Sequence, residues 1–239
     1  MADRFYCPER PVQGRLTLRG DEARHLGRVL RLGPGDVVEV FDGRGFATRA
    51  RVEVVERDRV ELQAVGSPLP DRTGPCRLTL ATAVPKGERF DWLVEKATEL
   101  GVERLVPLVT ERSVVDPRAG KLDRLRRAIV EAAKQCGRNR LMDLDRPTPW
   151  PDLLAATGAR SGWIAHPGAS QLASCPKPER GAEVLLAIGP EGGFTEPEVE
   201  AARAIGWRAF RLGATLLRIE TAGLAGCAML MAHCEGPDE

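Results

Sequence analysis

The chain has 239 residues, of which 43% are hydrophobic and 29% are charged, and its formal net charge is only +1. This length and composition exclude a disordered chain and allow one large or two modest folded domains. The small net charge conceals 30 Arg beside 5 Lys. Two interpretations of that bias stay open: guanidinium groups suited to phosphates and bases, or the codon usage of a GC-rich genome.

The N-terminal part of the chain, up to residue 66, has the pattern of a small β-rich domain. Asp42-Gly43 predicts a hairpin turn, and a short helix is expected from Asp21 until the helix-breaking run at 33–36. Strands and turns at this density favour a small β-barrel. Alternating apolar and polar residues predict its strands at 12–18, 37–41, 46–55 and 59–65.

A stretch rich in Pro and Gly at 66–75 separates this region from the rest of the chain. We therefore expect domains at 1–68 and 76–239, joined by a linker at 69–75. From Cys76 onward strands and helices alternate, which predicts a parallel sheet covered by helices. Strands are expected at 77–84, 103–109, 162–166, 184–189 and 208–212. Helices are expected at 88–100, 121–136, 196–205 and 220–233, with loops around 143–151 and 167–181.

Two predicted helices have basic faces. The first carries Arg24, Arg28 and Arg31 at helical spacing, with His25 beside them. The second face lies between residues 118 and 140. It has two acidic residues, Asp123 and Glu131, and eight basic ones: Arg118, Lys121, Arg124, Arg126, Arg127, Lys134, Arg138 and Arg140. Either face alone is compatible with ordinary solvation, but two such faces favour a structured RNA bound through its phosphates.

The cysteines and histidines show no metal-binding pattern. The six cysteines include no C-x-x-C pair, and the three histidines lie at no metal-ligand spacing, so we expect no metal. Cys227 and Cys234 are expected to pack inside an apolar C-terminal helix. The chain starts with charged residues, and none of its apolar runs approaches membrane-spanning length. These features predict a reduced, cytoplasmic protein with no membrane partner.

The most informative segment is 184–195, where an apolar run of strand length ends in a glycine-rich corner. A helix is expected immediately afterwards, because Thr195 and Glu198 have the spacing of a capping box and Pro197 suits its first turn. Residues 212–222 repeat this order of strand end, loop and helix start. Two such corners predict two loops lining one ligand cavity. The P-loop and dinucleotide signatures do not occur.

These motifs, taken in order, resemble those of the bacterial 16S ribosomal RNA uridine-N3 methyltransferases, members of the SPOUT superfamily. The resemblance extends over nearly the whole chain. The matching blocks are RHLGRVLRLGPGD at 24–36, Lys86 with EKATELG at 95–101, EAAKQCGR at 131–138, GPEGG at 189–193 and LGATLLRIETA at 212–222.

The resemblance implies an α/β protein in which a PUA-like β-barrel precedes a parallel α/β methyltransferase domain of the SPOUT type. In that family the last helix is tucked through a loop to form a trefoil knot. The resemblance also implies S-adenosyl-L-methionine as the methyl donor, with S-adenosyl-L-homocysteine as the product. The implied partners are 16S ribosomal RNA of the small subunit and a second copy of the chain, and not DNA.

The same resemblance, with the chemistry of methyl transfer, assigns candidate residues. As catalytic residues we expect Arg218, to stabilise charge on the uracil oxygens, and Glu191, as a base for the N3 proton. Two roles stay open for Glu220: a base in the reaction, or the cap of its own helix. The donor is expected to contact His166, Ile188, Gly189, Pro190, Gly192, Gly193, Leu212, Gly213, Leu216, Leu217, Arg218, Thr221 and Ala222. The RNA is expected to contact Arg24, His25, Arg28, Arg31, Lys86, Arg124, Arg127, Lys134 and Arg138.

Two alternative functions are compatible with parts of this pattern. A non-catalytic RNA-binding or ribosome-assembly factor would need no second glycine loop opposite the first. A transfer-RNA 2′-O-ribose methyltransferase is chemically close, but the blocks at 24–36 and 131–138 argue against it.

Overall fold

The computed structural model describes residues 3–114, 119–157, 161–172 and 175–235. They form two compact units, and the first is not continuous in sequence. It contains Met1–Arg72 together with Val130–Leu141, whereas the second contains Thr73–Ile129 and Met142–Glu239. The pattern of the sequence did not predict that Val130–Leu141 belongs to the first unit. In the described part of the chain, no helix combines the length and apolar character that crossing a bilayer requires.

The first unit is built on a mixed sheet of five strands. Its strands are β1 (Arg4–Tyr6), β2 (Arg15–Arg19), β3 (Val37–Phe41), β4 (Ala47–Val55) and β5 (Arg59–Val65). They lie in the order β1-β3-β4-β5-β2, with β1 parallel to β3 and every other pair antiparallel. The predicted hairpin between β3 and β4 is confirmed. The sequence pattern did not predict β1, because a three-residue strand is too short to show alternation.

Strand β2 begins three residues later than predicted. Gln13 and Gly14 have φ angles of +52° and +78°, so the chain turns there and Val12 pairs with Arg15 across the turn. The predicted short helix is present as α1 (Gly20–Arg24), which continues into a π-helical turn at His25–Val29. Ala23 and Leu26 are buried in the core of this unit, while Arg24 and Arg28 are exposed on the opposite face.

The second unit is built on a parallel sheet, as the alternation of strands and helices predicted. Its strands are β6 (Arg77–Ala83), β7 (Arg104–Val109), β8 (Asp143–Leu144), β9 (Thr148–Pro149), β10 (Ser161–Ala165), β11 (Glu183–Ile188) and β12 (Arg208–Phe210). The order is β12-β10-β11-β6-β7-β8, and β9 also pairs with β7. All of these pairs are parallel.

The helices described in the second unit are α2 (Arg89–Glu99), the first part of α3 (Ala119–Cys136), α4 (Trp150–Thr157), α5 (Glu196–Ala204) and α6 (Ile219–Glu235). From Val130 onward, α3 belongs to the first unit. The prediction of a loop at 143–151 was wrong, since β8, β9 and the start of α4 lie there. Strands of two residues carry no periodicity, and their formation depends on pairing with β7. The buried Trp150 ring holds the start of α4 against Phe194 and Trp207.

Helix α6 packs closely against the sheet and α2. A side chain at Gly226 would place its Cβ 2.7 Å from Leu186, and one at Gly223 would lie 3.2 Å from Leu93. Cys227 and Cys234 are buried on this helix, which confirms that they pack in the interior. Burial raises the pKa of the Cys227 thiol, so it stays neutral.

Candidate functional site

A cavity of about 470 Å³ lies at the carboxyl edge of the parallel sheet, where β10, β11 and β12 end. Three successive segments supply most of its lining: 165–167 at the end of β10, 188–194 at the end of β11 and 211–217 after β12. Arg112, Ile219 and Ala222 complete it. The fold therefore brings together the two glycine corners that are separate in sequence. Crevices at this edge of parallel sheets are the usual ligand sites of α/β proteins.

The first corner is a tight turn that leads directly into α5. The N–H of Gly193 donates to the Pro190 carbonyl at 2.8 Å, and Gly193 has a φ of +69°, a conformation that glycine adopts without strain. The Glu198 carboxylate accepts a hydrogen bond from the Thr195 N–H at 2.8 Å. This bond confirms that Thr195 and Glu198 form the N-terminal cap of α5.

The second corner is more open than the first. Leu216 exposes 86% of its surface, and a Cβ added at Gly213 would meet no atom within 4 Å. The loop ends where the Ala222 N–H donates to the Arg218 carbonyl at 2.8 Å at the start of α6. The backbone of this loop is thus accessible from the cavity side.

His166 forms the third wall of the cavity at the end of β10. Its backbone N–H donates to the Phe210 carbonyl at 3.0 Å, and its Nδ1 accepts from the Gly168 N–H at 3.2 Å. An Nδ1 that accepts a hydrogen bond carries no proton, so Nε2 holds the ring proton. His166 can therefore donate a hydrogen bond through Nε2.

Most of the residues predicted to contact the donor line this one cavity. Arg218 and Thr221 do not line it, and both are exposed. Glu191 lines the cavity and is exposed. Glu220 lies outside the lining; its side chain is only 8% exposed, with Oε1 3.7 Å from the Arg89 guanidinium. The predicted donor-contacting residues in the lining are His166, Ile188, Gly189, Pro190, Gly192, Gly193, Leu212, Gly213, Leu216, Leu217 and Ala222.

Sequence reasoning missed two arginines that line the cavity. Arg211 follows β12, and Arg112 lies in the turn after β7. Arg112 Nη1 donates to the Gly192 carbonyl at 2.7 Å. A signal for Arg112 was available, because it follows the carboxyl end of a predicted parallel strand. Only the tertiary structure shows that this turn reaches the glycine corner.

In the first unit, the predicted RNA-contacting residues differ in how far they are engaged with neighbours. Arg24 pairs with Asp21 at 2.6 Å and with Asp58 at 3.6 Å. Lys134 is only 11% exposed and pairs with Glu22 at 3.0 Å. His25 and Arg138 are half-buried, whereas Arg28 and Arg31 are exposed. Of these residues, Arg28 and Arg31 present the most accessible charges.

In the second unit, Arg124 pairs with Asp91, whereas Lys86 and Arg127 are exposed. Within the described ranges, the ion pairs include none formed by Lys86, Arg127, Arg28 or Arg31. Arg118 of the second basic face, and the side chain of Lys121, lie outside the described residues. Over the same part of the chain, no three His, Cys, Asp or Glu side chains gather in the way that a metal site requires.

Family comparisons match both parts of the chain. A family described as an RNA methyltransferase domain matches residues 72–231, and a family described as an RNA methyltransferase PUA domain matches residues 18–65. Ribosomal RNA small subunit methyltransferase E of Synechocystis sp. is 32% identical over 96% of this chain and 77% of its own length. The Bacillus subtilis protein of the same name is 32% identical over 92% of this chain and 90% of its own length.

Solved structures show the same similarity. Ribosomal RNA small subunit methyltransferase E from Neisseria gonorrhoeae, bound to S-adenosyl methionine, superposes with a TM-score of 0.89 at 33% identity. A Legionella pneumophila protein described as a methyltransferase, in complex with the same cofactor, superposes with a TM-score of 0.87 at 32% identity. Each comparison covers 97% of this chain and 98% of the other.

Proposed function

This chain belongs to the ribosomal RNA small subunit methyltransferase E family, and from that premise we propose the reaction that it catalyses. It transfers the methyl group of S-adenosyl-L-methionine to N3 of a uridine in 16S ribosomal RNA, and it releases S-adenosyl-L-homocysteine. The observation that carries this proposal is that the two glycine corners line the same cavity. A non-catalytic RNA-binding protein would have no use for that arrangement.

The residues around the cavity fit an adenosyl donor. A volume of about 470 Å³ lies in the range of roughly 300–1,000 Å³ that small-molecule and cofactor sites occupy. Ile188, Leu212 and Leu217 provide apolar walls, and the glycine backbone provides N–H and C=O groups for the edge of a base. His166 lines the third side. The relatives that contain this cofactor align with the chain over nearly its full length.

S-adenosylmethionine, when bound, supplies a methyl group on a sulfonium that an in-line nucleophile can take. The protein must orient uracil N3 toward that group and accept its proton. We assign the proton to the carboxylate of Glu191, a residue of the cavity lining; a positioned base contributes on the order of 10²–10⁴-fold to rate. We assign to Arg218 the stabilisation of charge on the uracil oxygens. Its exposed side chain forms no ion pair among the described residues.

The remaining features of the proposal concern the fold and the partners. We propose that the sheet of the first unit closes into a PUA-type barrel and that Arg28 and Arg31 contact RNA. We also propose domains at 1–68 and 76–239, with residues 130–141 of the second forming part of the first compact unit, a trefoil knot around α6, and a homodimer that works in the cytoplasm. The knot rests on the resemblance to the SPOUT methyltransferases. The half-buried Leu224 and Met229 support a subunit contact along α6.

The reaction is tested on ribosomal RNA from cells that lack the protein. Incubation of their small subunits, or of the free RNA, with the protein and labelled donor is expected to add one methyl group. Nuclease digestion and mass spectrometry are expected to place that group on uracil N3. A methyl group on a ribose 2′-oxygen would contradict the base specificity, and the absence of transfer to either substrate would contradict the enzymatic function.

Arg218→Ala is expected to abolish methylation while leaving cofactor binding measurable, because the guanidinium acts on the uracil, whereas the contact of Arg218 to the donor is made by its backbone, which the substitution keeps. Binding is measured as thermal stabilisation by S-adenosylhomocysteine; a ligand at 100 times its Kd adds about 2.7 kcal/mol to the free energy of unfolding. Arg203→Ala, on α5 outside the cavity, is the matched control. Near-normal turnover by Arg218→Ala would remove this residue from the mechanism.

A further inference from the structure

The turn at 110–113 is held against the glycine corner by several hydrogen bonds within the second unit. The Thr110 N–H donates to Ser113 Oγ at 2.9 Å, and the Ser113 N–H donates to the Thr110 carbonyl at 3.1 Å. These two bonds close the turn on itself. Thr110 is buried, so the turn has a defined position at the end of β7.

Glu198 connects this turn to the start of α5. One carboxylate oxygen, Oε2, accepts the Thr195 N–H that caps the helix at 2.8 Å. The other, Oε1, accepts the Glu111 N–H at 2.9 Å. A third bond holds Glu198 itself, since its carbonyl accepts the Trp150 indole N–H at 3.1 Å. Glu198 therefore fixes the position of residue 111, next to Arg112, relative to the glycine corner.

Arg112 leaves this turn toward the cavity. Its Nη1 donates to the Gly192 carbonyl at 2.7 Å. Its Cδ lies 3.2 Å from the position that a Gly192 Cβ would take, so the side chain lies directly over the glycine. The residue is nevertheless exposed and lines the cavity. One bond to a carbonyl leaves most of the five guanidinium N–H groups available to an anion.

We propose that Arg112 is a substrate-binding residue, which contacts a phosphate of the target RNA at the mouth of the cavity, and that Glu198 is its positioning residue. The inference rests on the proposed function. S-adenosylmethionine has a carboxylate of its own, so the donor is the competing anion for this guanidinium. The exposure of Arg112 favours a phosphate of a macromolecule that approaches from outside the cavity. Planar guanidinium forks match phosphate oxygens.

The test compares Arg112→Gln with Arg180→Gln, which removes an exposed arginine shortly before β11, at the opposite edge of the sheet. We expect Arg112→Gln to raise KM for RNA by roughly tenfold to a hundredfold, the effect of losing a hydrogen bond to a charged group. The slope of log affinity for RNA against log salt should fall by about 0.7–0.9, the value for one phosphate contact. S-adenosylhomocysteine affinity should change less than about twofold, which also shows that the variant is folded.

The role of Glu198 is tested by asking whether the effects of Glu198 and Arg112 substitutions on KM for RNA add up. Glu198→Ala is expected to raise KM for RNA, and Glu198→Gln, which keeps a carbonyl acceptor, to restore part of the loss. Adding Arg112→Gln to Glu198→Ala should raise KM little further, because residues acting through one contact are not additive. If the two effects on KM were fully additive, Glu198 would have only a structural role, and its assignment as the positioning residue of Arg112 would be overturned.

The outcomes separate this inference from the function on which it rests. If the wild-type protein transfers no methyl group, the proposed function and the inference fall together. If the wild type is active and Arg112→Gln keeps a normal KM and salt slope, only the inference is overturned. Loss of S-adenosylhomocysteine binding with an unchanged KM for RNA would place Arg112 on the donor instead, and would overturn the inference as well.

Discussion

Asp42 shows how one buried carboxylate organises a loop of the first unit. It is only 2% exposed. Its Oδ1 accepts the N–H groups of Arg44 at 2.7 Å and Phe46 at 3.0 Å, while Oδ2 accepts the Arg10 guanidinium at 3.0 Å. Burial by itself raises the pKa of Asp42, but these hydrogen bonds outweigh it and lower the pKa below its ordinary value of 3.8. The ionised form therefore stabilises the loop between β3 and β4.

Asp42→Asn is expected to lower the free energy of unfolding at pH 7 by about 1.5–3 kcal/mol, the range for hydrogen bonds to a charged group. Because the folded-state pKa is depressed, the contribution is complete above pH 3.8 and is lost as the pH falls through the folded-state value. Urea unfolding of both proteins at several pH values measures it. A difference that stayed constant down to the lowest pH would contradict this assignment.

At the scale of elements, α6 links the core to the cavity. Gly226 faces Leu186 of β11 and also Leu212 of the second corner, whose Cδ2 lies 3.4 Å from the position of an added Cβ. A glycine is needed because the helix backbone approaches both side chains closely. The same contact that packs α6 thus also holds one wall of the cavity.

Gly226→Val is expected to lower the free energy of unfolding by about 1–3 kcal/mol through overpacking. Displacement of Leu212 should also weaken S-adenosylhomocysteine binding. Ala228→Val, at an exposed position on the same helix, adds the same side chain where these close contacts are absent and is the control for a general effect of valine on the helix. Denaturation and calorimetric titration measure the two effects, and an unchanged affinity would show that Leu212 does not shape the donor site.

At the scale of the whole molecule, the first unit depends on a distant segment of the chain. Asn139 is 3% exposed and is bonded to both ends of the N-terminal region. Its Oδ1 accepts from the Arg4 guanidinium at 2.8 Å, and its Nδ2 donates to the Pro70 carbonyl at 3.0 Å. Ala133 and Leu141 pack against Phe41 and its neighbours. Without these residues, buried polar and apolar groups of the unit would lose their partners.

A fragment of residues 1–72 is therefore expected to be less stable than the same fragment joined through a flexible linker to residues 130–141. Each unsatisfied buried polar group costs about 1–3 kcal/mol, and a small domain has little stability to lose. Circular dichroism during urea titration of the two fragments measures the difference. Equal midpoints would show that the N-terminal residues form a complete core alone.

The sequence by itself determined the features that depend on residues close together in the chain. The alternation of strands and helices after Cys76, the capping pair Thr195 and Glu198, and the two glycine corners are all short-range patterns of side-chain type, because backbone conformation and amphipathic period depend on near neighbours. The position of the cavity followed from the rule that strand ends of a parallel sheet meet at one edge.

Only the tertiary structure decided which distant residues meet. It brought Arg112 to Gly192, paired Lys134 with Glu22 and so reduced its availability to RNA, and placed Val130–Leu141 in the first unit. Each of these contacts joins residues far apart in the chain, and the energy that selects them comes from burial and hydrogen bonding in the assembled core. A one-dimensional pattern does not contain that information.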